Sequence, residues 1–196
     1  IESGKAATDV DPYTIADPVD VINRYDDSWV DKTLEIAKWS EKKDVLDTAI
    51  ADMSTPKIVP REHYHLVGML KKLMVDSNIA IQICGMKMAK ALASGLRKAF
   101  NQGGKVMAPL LIAKLRDKKN QITDEAHKAL KALFYSITLE DMIEPIKDGL
   151  IDKAPNMRLQ TLKFLQTSMT KKDGKAVRLL MESLLKLTSD GAAEVR

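Results

Sequence analysis

The sequence predicts an all-α solenoid of stacked helical hairpins, about five of them with the last incomplete, and three observations lead there. A basic or amide-rich turn followed by an aliphatic residue and a fresh helix recurs four times. It reads Asp76-Ser77-Asn78-Ile79, Lys118-Lys119-Asn120-Gln121-Ile122, Lys153-Ala154-Pro155-Asn156-Met157-Arg158 and Asp190-Gly191-Ala192-Ala193-Glu194-Val195-Arg196. The aliphatic positions 79, 122, 157 and 195 lie 43, 35 and 38 residues apart, and a helical period near that length is the mark of HEAT-type hairpins. Hydrophobic residues make up 45% of the chain and aromatics only 5%, which favours helices packed on aliphatic seams over a β-sandwich. Stacking sets equivalent turns on one edge, so whatever they carry forms a single row.

The elements follow in order. Residues 1–12 are small, polar and acidic and read as a disordered lead-in. Residues 13–25 mix Tyr13, Ile15, Val19, Val21 and Ile22 with two prolines, and read as a segment tethered along the first repeat with a helical turn after Pro18. Ser28 is placed to cap a helix over 29–38, Trp39-Ser40 to interrupt it, and Ser40 to cap the next, whose apolar face is Val45, Leu46, Ala49, Ile50 and Met53. Ser54-Thr55-Pro56 stops that helix and Pro60 sets up the second hairpin, 63–75 and 79–100. Its long second arm is rich in small residues (Ala80, Gly85, Ala89, Ala91, Ala93, Gly95), which permit close helix approach. Asn101-Gln102-Gly103-Gly104 reads as the clearest turn in the chain. The third hairpin covers 105–117 and 122–135, with Pro109 in an early turn of its first arm, and the fourth 139–151 and 156–169. A fifth opens at 175–187 and stops at Arg196 where its second helix should begin, so the domain is expected to continue. The repeats thus fall at 28–55, 61–100, 104–135, 139–170 and 174–196, within one domain spanning 13–196.

Charge is distributed unevenly. Residues 1–27 hold seven acids and two bases, while the rest carries a net charge of +9 within a total of +4. A basic body suits an acidic partner. No apolar run approaches the roughly 20 residues of a bilayer span, and no signal-peptide pattern opens the sequence. The single Cys84 excludes an internal disulfide framework and fits a reducing compartment. His63 and His65 make no zinc spacing with Cys84 and read as ordinary helix-surface histidines. Val106 after Lys105 breaks the order of a phosphate loop. No carboxylate pair stands apart from ordinary helix-surface charge, so neither an active site nor a cofactor is expected.

The turns are the candidate working surface. Trp39, flanked by Lys38, Lys42 and Lys43, has two readings: an indole plugging the end of the core, or an exposed anchor ringed by lysines, the composition of a binding hot spot. Lys118 and Lys119 are either a solvated loop that offsets the preceding helix dipole or part of a basic row. Arg158 stands in the first turn of its helix, the unfavourable end for a cation, and so asks for a carboxylate such as a partner's.

At these same residues the chain resembles a known family. The run Lys38-Trp39-Ser40-Glu41-Lys42-Lys43-Asp44-Val45-Leu46 is similar to the first-turn signature of TOG domains. Pro56-Lys57-Ile58, Leu70-Lys71-Lys72-Leu73, Asp76-Ser77-Asn78-Ile79, Gly95-Leu96-Arg97-Lys98-Ala99-Phe100, Lys114-Leu115-Arg116-Asp117-Lys118-Lys119 and Glu194-Val195-Arg196 follow in the family's order. The segment from Asp11-Pro12-Tyr13 to Asp17-Pro18-Val19-Asp20-Val21-Ile22 resembles the one preceding internal TOG domains of the Minispindles/ch-TOG microtubule polymerases.

The resemblance implies a flat HEAT paddle that holds a curved αβ-tubulin heterodimer along its intra-repeat turns. Trp39, with Lys42 and Lys43, would meet β-tubulin from the first turn. Ser77, Asn78 and Ile79 would follow from the second, Lys118 and Lys119 from the third, Lys153, Asn156 and Arg158 from the fourth, and Arg196 from the fifth on the α-tubulin side. It further implies a monomeric, non-enzymatic module of a multi-TOG polymerase acting at microtubule plus ends, spindle and centrosome. A coiled-coil adaptor would recruit the full-length protein. Apart from the resemblance, the scarcity of aromatic stacking candidates and the lack of a basic stripe along one helix weigh against nucleic-acid binding by the basic body, and the lack of a long apolar run against a membrane. Departures from the family pattern are a second turn one residue short, Ala154 for a usual asparagine, Ala193 for proline and a missing sixth repeat. The alternative is a generic HEAT scaffold docking another acidic protein on its concave helix face.

Overall fold

The computed structural model describes residues 10–196. Residues 1–9, most of the expected lead-in, lie outside them. Asp11 and Pro12, expected to be part of that lead-in, instead begin a short helix α1 (Pro12–Ile15), capped by the Asp11 carboxylate, which accepts from Tyr13 N–H at 3.1 Å. Nine further helices follow: α2 (Asp27–Glu35), α3 (Trp39–Met53), α4 (Tyr64–Met74), α5 (Ile79–Leu96), α6 (Asn101–Lys114), α7 (Asn120–Leu133), α8 (Ile143–Leu150), α9 (Pro155–Ser168) and α10 (Gly174–Leu187).

Amphipathic spacing dictates two layers. The even-numbered helices stack in sequence order along one side, and α3, α5, α7 and α9 along the other. Leu46, Leu70, Ile81, Leu92, Leu111, Ile122, Leu130, Ile146, Phe164 and Leu180 fill one continuous core between the layers. This is the HEAT solenoid that the period predicts.

Local details depart from expectation for physical reasons. The cap of α2 is Asp26, whose carboxylate accepts from Trp29 N–H at 2.9 Å, so Ser28 lies inside the helix. The chain breaks at residues 36–38 and α3 starts at Trp39 itself, leaving Ser40 within it and no side-chain cap. The tethered segment lies along the joint between the first two repeats. Val19 N–H donates to Lys57 O and Val59 N–H to Val19 O, both at 3.0 Å, and Val21, Ile22 and Tyr25 are buried. Its helical turns are α1, before Pro18, and a 3-10 turn at Ile22–Arg24.

Asn101-Gln102-Gly103-Gly104 is not a turn. It is the first turn of α6, and Gly103 and Gly104 are buried. A Cβ on Gly103 would lie 2.4 Å from Cε2 of Phe100, and one on Gly104 3.0 Å from Cγ2 of Ile137. These glycines serve close packing, and no described glycine has a positive φ. The actual change of direction is at Arg97, φ 48°, where α5 ends. Three contacts hold that conformation. The guanidinium stacks 4.0 Å from the Tyr13 ring and 4.6 Å from the Tyr135 ring, and pairs with Asp11 at 2.6 Å. Since α6 begins four residues earlier than the pattern predicts, Pro109 lies in its interior. Within the helical stretch Ile79–Lys114 one 18-residue window, of mean hydropathy 1.2, is long and apolar enough to span a bilayer, contrary to the sequence expectation, yet 61% of it is buried inside the fold.

Gly68 marks the opposite case to Gly103. It sits inside α4, and a Cβ there would meet nothing within 4 Å. Gly68→Ala is expected to raise the unfolding free energy by about 0.5–1 kcal/mol, because alanine loses less backbone entropy in a helix. Urea denaturation with an unchanged or lower midpoint would contradict this.

Candidate functional site: the turn edge

Four of the five hairpin turns, the second to the fifth, are built by the same device. Asp76, Asp117, Asp152 and Asp190 each accept, through Oδ1, from the N–H two residues on: Asn78 at 2.7 Å, Lys119 at 2.8 Å, Ala154 at 2.7 Å and Ala192 at 2.8 Å. This Asx turn aims the chain into the next helix. The residues at the helix entrances Lys38, Asn78, Lys119 and Ala154 share φ between −90° and −79° and ψ between 115° and 122°. The second turn is therefore full-length from aspartate to cap. The matching aliphatic column, five residues beyond each aspartate, is Ile81, Ile122, Met157 and Val195, all buried. Ile79, expected to head that column, is half-buried at the first position of α5. Only the first turn lacks the aspartate, with Ile36 standing two residues before Lys38.

A second column explains the cations. Four residues past the entrance, a side chain reaches back to a backbone carbonyl of its own turn or of the helix before it. Lys42 Nζ donates to Leu34 O at 3.1 Å, Gln82 Nε2 to Asp76 O, Arg158 Nη1 to Asp152 O and Arg196 Nη1 to Asp190 O, the last three at 2.7 Å. In the third turn this position is Thr123, and Asn156 from the fourth turn serves instead, donating to Asp117 O at 2.9 Å. Adjacent turns are laced together as well. Lys114 donates to Gln82 at 2.9 Å, Arg116 pairs with Asp152 at 3.5 Å, and Arg158 grips Asp190 with Nε and Nη2, both at 2.6 Å.

The anomaly at Arg158 is thus resolved within the chain. Its carboxylate is Asp190, and the two side chains are only 14% and 6% exposed, so no partner carboxylate is needed there. The Arg158 hydrogen bonds, and then that from Ala192 N–H, hold the Asp190 carboxyl below its ordinary 3.8. A carboxyl depressed by folding stabilises the fold above its unfolded pKa, and that contribution disappears as pH falls through the folded one. Asp190→Asn is therefore expected to lower stability at pH 7 and to narrow the gap between pH 7 and pH 3, read from urea midpoints at both. An unchanged gap would deny the linkage.

The predicted residues consequently divide. Trp39 is 51% exposed, so the indole does not plug the core. It shares a recess of about 260 Å³ with Ala37, Lys42, Asp76, Ser77, Asn78 and Ile81, which places the first and second turns side by side. The expected ring of free lysines around it is absent: Lys38 pairs with Glu41 at 3.1 Å, Lys42 caps α2, and Lys43 pairs with Asp47. Lys118, Lys119, Lys153 and Ser77 are exposed. Asn78 caps α5, its Oδ1 accepting from Ala80 N–H at 2.8 Å. Asn156, Arg158 and Arg196 brace the turns. The aspartate column was legible as a spacing of 41, 35 and 38 residues, but it does not emerge when only aliphatic and basic positions are aligned.

Elsewhere the chemistry is structural. His63 and His65 are half-buried rather than surface residues, bonded to Arg61 O at 2.6 Å and Tyr25 O at 2.8 Å. Burial pushes the Cys84 thiol up to about 11, and the described residues include no cluster able to hold a metal.

Residues 58–196 match the family model described as CLASP N terminal. The chain is 32% identical over 201 residues to Protein MOR1 of Arabidopsis thaliana, covering 97% of this chain and 10% of that protein. It is 30% identical over 205 residues to Protein mini spindles of Drosophila melanogaster, covering 100% and 10%. It thus spans about a tenth of the length of these relatives. Among solved structures, it is similar to a chain from work on microtubule plus end tracking by XMAP215, CLIP-170 and EB1, with TM-score 0.77, 30% identity, and 92% and 77% of the two chains covered. A chain from work on tubulin recruitment by microtubule polymerases with TOG domain arrays shares the fold, with TM-score 0.80 at 17% identity over 95% and 41%. With its laced turns and HEAT layers, the chain belongs to the CLASP N-terminal family and is a TOG domain of the mini spindles/ch-TOG kind.

Proposed function

We propose that this domain binds the curved αβ-tubulin heterodimer through its turn edge, as one module of a multi-TOG microtubule polymerase. The observation that carries the reading is Trp39. A half-exposed tryptophan at a helix start, beside Ser77 and Asn78, contributes little to the core and suits an interface anchor. Exposed Lys118, Lys119 and Lys153 continue the same edge and supply steering toward an acidic partner. Trp39 with Ser77, Asn78 and Ile79 would face β-tubulin, and the fifth turn would face α-tubulin. Lys42, Lys43, Asn156, Arg158 and Arg196 keep their place in the site chiefly by shaping it.

The name mini spindles speaks of spindles, and the solved neighbours concern plus-end tracking and tubulin recruitment. These accord with action at plus ends, spindle and centrosome, with adaptor-mediated recruitment left to other parts of the full-length protein. A single module binds without accelerating growth, because polymerase action needs linked copies and the effective concentration they create. Gel filtration with unpolymerised tubulin at micromolar concentrations tests the reading: a shifted peak that weakens with added salt is expected, and unchanged elution refutes it.

A further inference from the structure

The far ends of the second-layer helices carry a feature the turn edge does not use. Between the C-terminal halves of α5, α7 and α9 lies an open groove of about 770 Å³. It lies roughly 15–20 Å along those helices from the turns, at 1.5 Å per residue. Its floor is apolar, formed by Ala132, Ile137 and Leu139 with the Phe134 ring, which stacks on Phe164 at 5.9 Å between centroids. Its rim carries Lys90, Lys128, Lys131 and Lys172, all exposed. The flanking grooves on the same face add Lys87 and Lys163.

Against these cations the groove sets two acids of its own, and one is already committed. Asp173 accepts from the Thr170 N–H at 2.7 Å and hydroxyl at 2.8 Å, while Glu140 lies at the border. Lys128 is paired with Glu125 at 2.6 Å. Lys90, Lys131 and Lys172 make no ion pair among the described residues and ring an apolar floor.

We propose that this groove binds an acidic linear peptide segment through one apolar anchor residue, at a site separate from the tubulin edge. The anchor would seat on the Ile137–Leu139 floor, and flanking carboxylates would lie along the lysine rim. The chemistry disfavours nucleic acid. The lysines encircle one recess rather than tracking a strand, and the exposed aromatic there, Tyr135, already has its ring occupied by Arg97 at 4.6 Å.

The test is fluorescence anisotropy with a labelled peptide of glutamates and aspartates around a single phenylalanine. The comparisons are the same peptide with serine at the anchor and a single-stranded oligonucleotide of equal charge. Saturable peptide binding is expected, weakened about tenfold or more by Lys131→Glu/Lys172→Glu and by loss of the anchor. Thr167→Trp, which fills the groove without altering charge, should weaken it similarly. Trp39→Ala should leave peptide binding intact, and Lys131→Glu/Lys172→Glu should leave tubulin binding intact. Absent saturation, equal binding of the serine peptide, tighter binding of the oligonucleotide, or full binding by either groove variant overturns the proposal.

Discussion

Trp39→Ala will weaken binding of the αβ-tubulin dimer by about 30-fold or more, the loss typical of a central aromatic anchor worth at least about 2 kcal/mol. Its thermal unfolding will stay close to that of the parent. Trp39 occupies the first position of α3, where it neither caps the helix nor enters the core, and half its surface faces solvent. Removing it erases one wall of the recess beside Ser77 and Asn78. Trp29 supplies the contrast. It is partly buried and lies edge-on to Tyr25, with 4.7 Å between ring centroids, so Trp29→Ala should cost stability before it costs affinity. Calorimetric titration of both variants separates the two roles. A loss under about threefold for Trp39→Ala would remove the anchor from the interface.

Gly103→Ala will lower the unfolding free energy by about 1–3 kcal/mol through overpacking. The added methyl would stand 2.4 Å and 2.8 Å from atoms of the Phe100 ring, which is fully buried and packs beside His63. A ring so enclosed cannot swing aside as a lysine tip would, so the α5–α6 junction itself must shift. Urea denaturation of Gly103→Ala beside Gly68→Ala makes the comparison internal: the same chemical change is expected to destabilise at one position and stabilise at the other. Matching effects of one sign would show that space, as drawn from the backbone, does not govern these sites.

The fold was legible because its signal is redundant. Four turns, aliphatic seams and a period near forty residues agree, and an error in one hairpin leaves the others standing. Boundaries suffered where one residue type serves two ends. Gly103 and Gly104 look like a turn because glycine permits positive φ, yet here glycine was needed for the Phe100 and Ile137 contacts. Conversely, the chain reverses at Arg97, whose stabilising partners Tyr13, Asp11 and Tyr135 are remote in sequence.

The candidate site was legible in part for a similar reason. Trp39 stood out as a large aromatic in a polar turn. Arg158, a cation in the first turn of its helix, needs a carboxylate, but the one it finds lies 32 residues downstream, and only the stacking of repeats brings Asp190 there. Lys42 and Arg196 look like free cations until the shared column of back-bonding side chains is visible.

The aspartate turns act as a ruler with one graduated edge. Successive aspartates lie 41, 35 and 38 residues apart, yet each turn closes with the same two-residue bond. The surplus residues must therefore be taken up away from the turns, in helix length and in the links between repeats. Insertions will be accommodated there, whereas one residue added between an aspartate and its helix entrance would break the spacing along the entire working edge.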